Sequence, residues 1–488
     1  MMQILIVSII IIYFLLIFFI SRFAGGTSSN ATFFSGNHNS RWQVVAVGMV
    51  SATISGISVV SVPGMVGSVG FTYMQMVFGF FFGYAVVVYV LLPLYYKLHL
   101  TSIYGYLGLR FGRFSHQTGA CFFILFKMVA AASRLYIVIL VLQFYLFDSI
   151  GVPFVLTALI FVLFIFAYTC RTGIKALVWT DFFQTLCMVA AIVLLIVQVY
   201  RHLGMDVSSL FTAIQQGGHS RLFVFDDFYT RQNFFKQFLS GVFVVIVMTG
   251  LDQDIMQKNL TCRNLAEARK DMLSYGFCFI PVNFLFLVLG AMLLVFAGQK
   301  GIAMPEESDK ILPYFAMNYF GGPIAVLFVI ALLSAAFSSA DSALVSLTTS
   351  FSVDILHQSE ENISYRRRLF IHFSICMVFI LVMLLFRAIN SQNALDSIYT
   401  IVSYLYGPLL GLFVFGLFTK WQVRDGLVPL VTIVSPILCY VINALAASRF
   451  DYHFGYELLM LNGLLTFIGL CLIRRKGVCG VCADKYIY

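Results

Sequence analysis

Apolar runs of eighteen or more residues recur along the whole of this 488-residue chain, and no other feature narrows its fold so far. Each run can cross a hydrocarbon core of about 30 Å as a helix, and within lipid only helices and closed barrels satisfy their own backbone. The chain is 61% hydrophobic and 10% charged, against about 25% charged in ordinary soluble domains. It therefore reads as an all-α, polytopic membrane protein. No hydrophilic stretch offers room for a kinase, nucleotide-binding or DNA-binding module.

Hydropathy, turn residues and charges together predict about thirteen spans, near 3–20, 44–69, 72–96, 119–146, 152–170, 174–200, 237–255, 273–297, 323–353, 368–388, 395–418, 425–447 and 455–473. The first run lacks a basic leader and a small-residue cleavage site, so it is expected to stay as a membrane helix. With the N-terminus outside, 20 Lys and Arg fall in cytoplasmic loops and the tail, 8 in external loops and 2 inside a span. That bias, and not nucleic-acid binding, accounts for the net charge of +9. Two external connections, 201–236 and 298–322, are long, and the second is expected to carry a short surface helix. The cytoplasmic "LTSIYGYLGLRFGR" reads similarly. Ten scattered cysteines suggest no disulfide framework, and the "CGVC" pair, Cys479 and Cys482, reads as plain thiols in a cytosolic tail.

Polar residues inside the apolar runs carry the functional information. The second run, "VSATISGISVVSVPGMVGSVG", holds five serines, a threonine, glycines and Pro63 at membrane depth. Either it packs with a kink, or it is a broken helix whose freed carbonyls form a cation and substrate site. In the ninth run, "AAFSSADSALVS" sets Ser338, Asp341 and Ser342 on one helical face, with Ala335 and Ser339 on the next strip. An Asp near mid-membrane costs at least about 2.5–3.5 kcal/mol unless compensated. A bound monovalent cation would compensate it, as would a proton or a basic partner. The hydroxyls themselves could simply bond back to their own helix.

Asp181, in "KALVWTDFFQT", is a second embedded acid and reads more readily as a helix cap. Lys127 is expected to snorkel to the cytoplasmic boundary. Arg134 is too deep for that, and is either paired structurally or aimed at a substrate carboxylate. Asp252 and Asp254, in "LDQD", read as a cap or gate. No cluster of His or Cys within the spans suggests an enzyme centre.

"SATISGISVVSVPG", "WTDFFQ", "TGLDQDIMQKNLTCRNLAEARK", the Ser-Ser of the ninth span and "YGPLLGLFVFGLF" together resemble the sodium:solute symporter family, in order and over nearly the whole chain. The resemblance implies a LeuT-type core of two inverted five-helix repeats, 44–200 and 237–418. An extra N-terminal span (1–22), extra C-terminal spans (419–474) and a cytosolic tail (475–488) would flank it, in a single transporter domain. It further implies a Na⁺ site made by the carbonyls of Ser51, Ile54 and Ala335 with the hydroxyls of Ser338 and Ser339. A second Na⁺ site would use Asp181, Ser338, Asp341 and Ser342, with Asp341 replacing the usual hydroxyl.

For the substrate, Val77 stands where the sugar-transporting branch has an acid, which argues against that mode. Thr53, Ser55, Ser58 and Arg134 match the residue types that hold an acidic sugar in the sialic acid branch. Gln75, Phe78 and Gln143 are further candidates for the pocket wall. The expected function is Na⁺-coupled uptake of a small organic solute, such as sialic acid or another carboxylate, across a plasma membrane. Na⁺, the solute and the bilayer are the expected partners, with no other cofactor, no transition metal and no obligate protein partner. The alternatives are a proton-coupled or uncoupled transporter and, further off, a transporter-like sensor, a channel or a membrane enzyme.

Overall fold

The structure, a computed structural model, describes residues 2–24, 29–226, 230–358, 361–389, 392–450, 452 and 454–475. Cys479 and Cys482 lie outside the described residues. In chain order the main helices are α1 (Met2–Ala24), α2 (Trp42–Thr53), α3 (Gly56–Gly64), α4 (Tyr73–Val86), α5 (Arg113–Leu142), α6 (Phe154–Thr169), α7 (Ile174–Leu203) and α8 (Phe234–Val245). They continue as α9 (Gln253–Asn259), α10 (Leu265–Lys300), α11 (Ser308–Asn318), α12 (Gly322–Ser350), α13 (Tyr365–Ile389), α14 (Gln392–Phe418), α15 (Val428–Phe450) and α16 (Leu458–Leu472). Among the described residues eight helices are long and apolar enough to cross a membrane, two bent pairs pass the same test jointly, and three apolar helices are shorter. All of these fall on the thirteen segments read from the sequence.

The two bent pairs organise the molecule. α2 meets α3 at 63°, and α8, extended by a π turn to Gly250, meets α9 at 70°. Each pair opens a set of five spans, and because five is odd the second set crosses the membrane in the opposite sense to the first. That is a five-plus-five inverted repeat. The first bend lies at Ile54 and Ser55, both extended (ψ 100° and 165°), and the last helical hydrogen bond of α2 runs from Ile54 N to the Val50 carbonyl. Pro63 does not cause the bend; it lies in the last turn of α3, whose N1 position it is far from occupying. The second bend was not foreseen: the run 237–255 reads as one span, but Leu251 and Asp252 leave helical geometry and the Asp252 side chain caps α9 by accepting from Asp254 N.

The core sits around α12, in which every residue from Ala331 to Ser350 is buried. α7 and α2 pack on one side of it, and α5 and α3 on another. Small residues let backbones touch: a methyl added at Gly79 would lie 2.1 Å from the Phe238 carbonyl, and one at Gly290 2.1 Å from the Pro63 carbonyl. The expected surface helix of the second external connection is α11, which buries Ile311, Leu312 and Phe315 and packs against α3. The counterpart expected in "LTSIYGYLGLRFGR" is a short helix, Gly105–Arg110.

Candidate functional site

α12 separates its hydroxyls into two kinds. Ser346, Thr348 and Thr349 donate to the carbonyls of Ala343, Leu344 and Val345 in their own helix, as an ordinary buried Ser or Thr does. One and two turns earlier the pattern changes. Ser338 donates to Asp181 Oδ1 at 2.6 Å, Ser342 donates to Asp341 Oδ1 at 3.1 Å, and Ser339 has no hydrogen-bond partner among the described residues. None of these three hydroxyls returns to a backbone carbonyl of its own helix, and Ser338 meets both α7 and the end of α2.

A directional chain connects the bend to this strip. Thr185 of α7 donates to Ser51 Oγ (2.8 Å), Ser51 donates to Ser338 Oγ (2.8 Å), and Ser338 donates to Asp181. All four residues are buried. The helical bonding of α2 ends at Ile54, so its last carbonyls, including that of Ser51, have no helical donor. Carbonyls from α2 and hydroxyls from α12 are thus presented to each other at a broken helix, with oxygen the only ligand type. Such a set suits a hard monovalent cation.

Asp181 does not cap α7. That helix begins after Gly173, and Asp181 lies in its third turn, wholly buried, with Oδ2 2.6 Å from Lys258 Nζ of α9. Asp341 is also wholly buried; its Oδ2 accepts from the Tyr168 hydroxyl of α6 at 2.5 Å. The two acids expected to share one site are therefore joined differently, one to an ammonium and one to hydroxyl donors. Lys127 does not snorkel either. It is buried and pairs with Asp252 (3.0 Å) and Asp254 (2.7 Å), because the cap of α9 places two carboxylates against it.

Around the bend, Thr53 ends a second hydroxyl chain, from Tyr84 to Tyr275 (2.8 Å) to Thr53 (2.5 Å) and on to the Met49 carbonyl (3.0 Å). Ser55 and Ser58 lie 3.4 Å apart on α3. Gly56 packs directly on Val138 of α5, and Arg134, one turn before Val138 on the same face, is half-buried with no hydrogen-bond partner among the described residues. Gln75 is engaged through its amide, which donates to the Gln232 carbonyl and accepts from Val224 N in the long connection between α7 and α8. Gln143 is likewise engaged by Asp148, Val152 and Thr157, and Phe78 stacks on Phe223.

The residues that sequence reasoning missed are Lys258, Tyr168 and Thr185. Lys258 reads as one more cytoplasmic-loop cation, yet every residue of α9 from Gln253 to Asn259 is buried. The available signal was composition: two acids, two amides and a lysine within seven residues beside an apolar run. Among the described residues no group of three His, Cys, Asp or Glu could hold a transition metal.

The sodium:solute symporter family matches residues 33–428. A sodium-dependent multivitamin transporter of Oryctolagus cuniculus is 28% identical over 77% of this chain, which spans 59% of that protein's length. A sodium/sialic acid symporter, NanT, of Aliivibrio fischeri is 24% identical over 85% of this chain and 83% of its own. Among solved structures, a substrate-bound, outward-open Na⁺-coupled sialic acid symporter superposes with a TM-score of 0.81 at 21% identity, covering 98% of this chain and 99% of that one.

Proposed function

The chain belongs to the sodium:solute symporter family, and from that premise we propose that it is a secondary active transporter that imports a small organic anion together with Na⁺ by alternating access. The observation that carries this reading is the split among the α12 hydroxyls: Ser338 donates to Asp181 and accepts from Ser51 near the end of α2, whereas Ser346, Thr348 and Thr349 bond back to carbonyls of their own helix. Ser51, Ile54 and Ala335 would supply carbonyls to one Na⁺, and Ser338 and Ser339 the hydroxyls. Asp181, Asp341, Ser338 and Ser342 would hold a second. Each Na⁺ entering down 100 mV contributes about 2.3 kcal/mol beyond its concentration gradient, so two sites would support steep accumulation.

For the solute, Arg134, half-buried and without a hydrogen-bond partner among the described residues, on a helix that packs on α3 at Gly56, supports a carboxylate-bearing molecule, and the relatives named as sialic acid symporters make an acidic sugar the first to test. The Lys and Arg distribution supports an external N-terminus and a cytoplasmic C-terminus in a plasma membrane.

The test is thermal unfolding of purified protein during a Na⁺ titration at fixed ionic strength, with acidic and neutral solutes added. Na⁺-specific stabilisation is expected, raised further by an acidic solute and weakened about tenfold or more in half-saturation by Ser339→Ala. Equal responses to Na⁺ and K⁺ between pH 6 and 8 would defeat the sodium reading and leave proton coupling to be pursued.

A further inference from the structure

The contact between Lys258 and Asp181 differs from an ordinary buried ion pair. At 2.6 Å the ions touch, and among the described residues neither Lys258 Nζ nor Asp181 Oδ2 has a further hydrogen-bond partner. An ammonium has three protons to donate. Leaving them unmet inside a protein costs more than the attraction alone returns, and a buried pair is strongly favourable only when its remaining groups are bonded. Lys258 is therefore held chiefly by its one contact with Asp181.

The acidic groups around it outnumber the basic ones. Asp181, Asp254 and Asp341 all act on the Lys258 ammonium, and Asp252 and Asp254 share Lys127. Four buried carboxyl groups thus face two buried ammonium groups. Removing one ammonium from Asp181 is tolerable only if another cation takes its place.

We propose that Lys258 is a tethered cation that competes with Na⁺ for Asp181. The inference rests on the Na⁺-coupled reading above. While the second site is empty the Lys258 ammonium holds Asp181 and so fastens α9 to α7. A Na⁺ arriving between Asp181, Ser338, Asp341 and Ser342 takes over the carboxylate, and Lys258 shifts towards Asp254, whose Oδ1 has no hydrogen-bond partner among the described residues. Cation binding then loosens α9, the inner half of the second broken pair. When Na⁺ leaves, the ammonium returns and the fastening is remade with the site vacant.

The experiment is the same Na⁺ titration, read both by thermal unfolding and by direct ²²Na⁺ binding, on wild type, Lys258→Met and Lys258→Arg. Removing the competitor should lower the half-saturating Na⁺ concentration of Lys258→Met by about tenfold, within the usual range for coupled sites. Arg keeps the charge and offers a fork that grips a carboxylate more firmly, so Lys258→Arg should raise it by about threefold or more. A Lys258→Met protein that is folded, less stable without Na⁺ and unchanged in half-saturation would show a purely structural lysine and overturn the proposal. Should Lys258→Met not fold, an unchanged or lowered half-saturation in Lys258→Arg overturns it equally. Wild type that ignores Na⁺ would instead refute the symporter reading, so the two failures are distinguishable.

Discussion

Asp341 illustrates how a single buried side chain is decided by its donors. It accepts from Tyr168 and Ser342, two hydroxyls that bring no positive charge, while the Lys258 ammonium that acts on it is paired with Asp181. An ion beside it would supply that charge. Asp341→Ser should therefore keep the fold and weaken Na⁺ binding at one of two sites, seen as a Hill coefficient in ²²Na⁺ binding that falls towards one. If Asp341 instead carries a proton during transport, the same substitution should abolish the pH dependence of uptake. Ser346→Ala is the control, because its hydroxyl returns to the Ala343 carbonyl of its own helix. Its Na⁺ half-saturation is expected to match wild type.

At this scale the sequence was informative about which residues matter and silent about whom they meet. The 3.6-residue period put Ser338, Asp341 and Ser342 on one face, and the structure retains that face. Periodicity within one helix says nothing of the Lys from another that meets Asp181, or of Tyr168 meeting Asp341. Those contacts span 77 and 173 positions of sequence, and only the packing of spans brings them together.

The elements were legible wherever a strong local signal existed. Long apolar runs gave the spans, and serines and glycines at membrane depth gave the first bend. The second bend escaped because "VFVVIVMTGL" is apolar up to Leu251, and a π turn followed by an Asp cap breaks a helix without any proline. Helix seams were not legible at all, since a glycine's partner lies on another element. Gly290 packs on the Pro63 carbonyl, so Gly290→Ala must displace backbone and should destabilise by about 1–3 kcal/mol in reversible unfolding. Gly298, on the same helix with nothing within 4 Å of an added methyl, should accept Ala at no measurable cost.

Over the whole molecule, the distribution of Lys and Arg supports the proposed sense in which the chain crosses the membrane. A cysteine placed at Lys300 should react with an impermeant maleimide on right-side-out vesicles, and one at Arg366 only after the membrane is opened. The reverse pattern would invert the topology proposed above. Glycine seams meanwhile join α4 to α8 through Gly79 and Gly241, α3 to α10 through Gly290, and α4 to α10 through Gly276 on Tyr84. Because these are contacts of backbone with backbone or with a ring, no rotamer can yield between them. Whatever displaces α3 must carry α10, α4 and α8 along, so the four helices behave as one stiff lever. A body joined through main chain would store little of the work done on it, so a small push at the proposed ion site would reach its far surface with little loss.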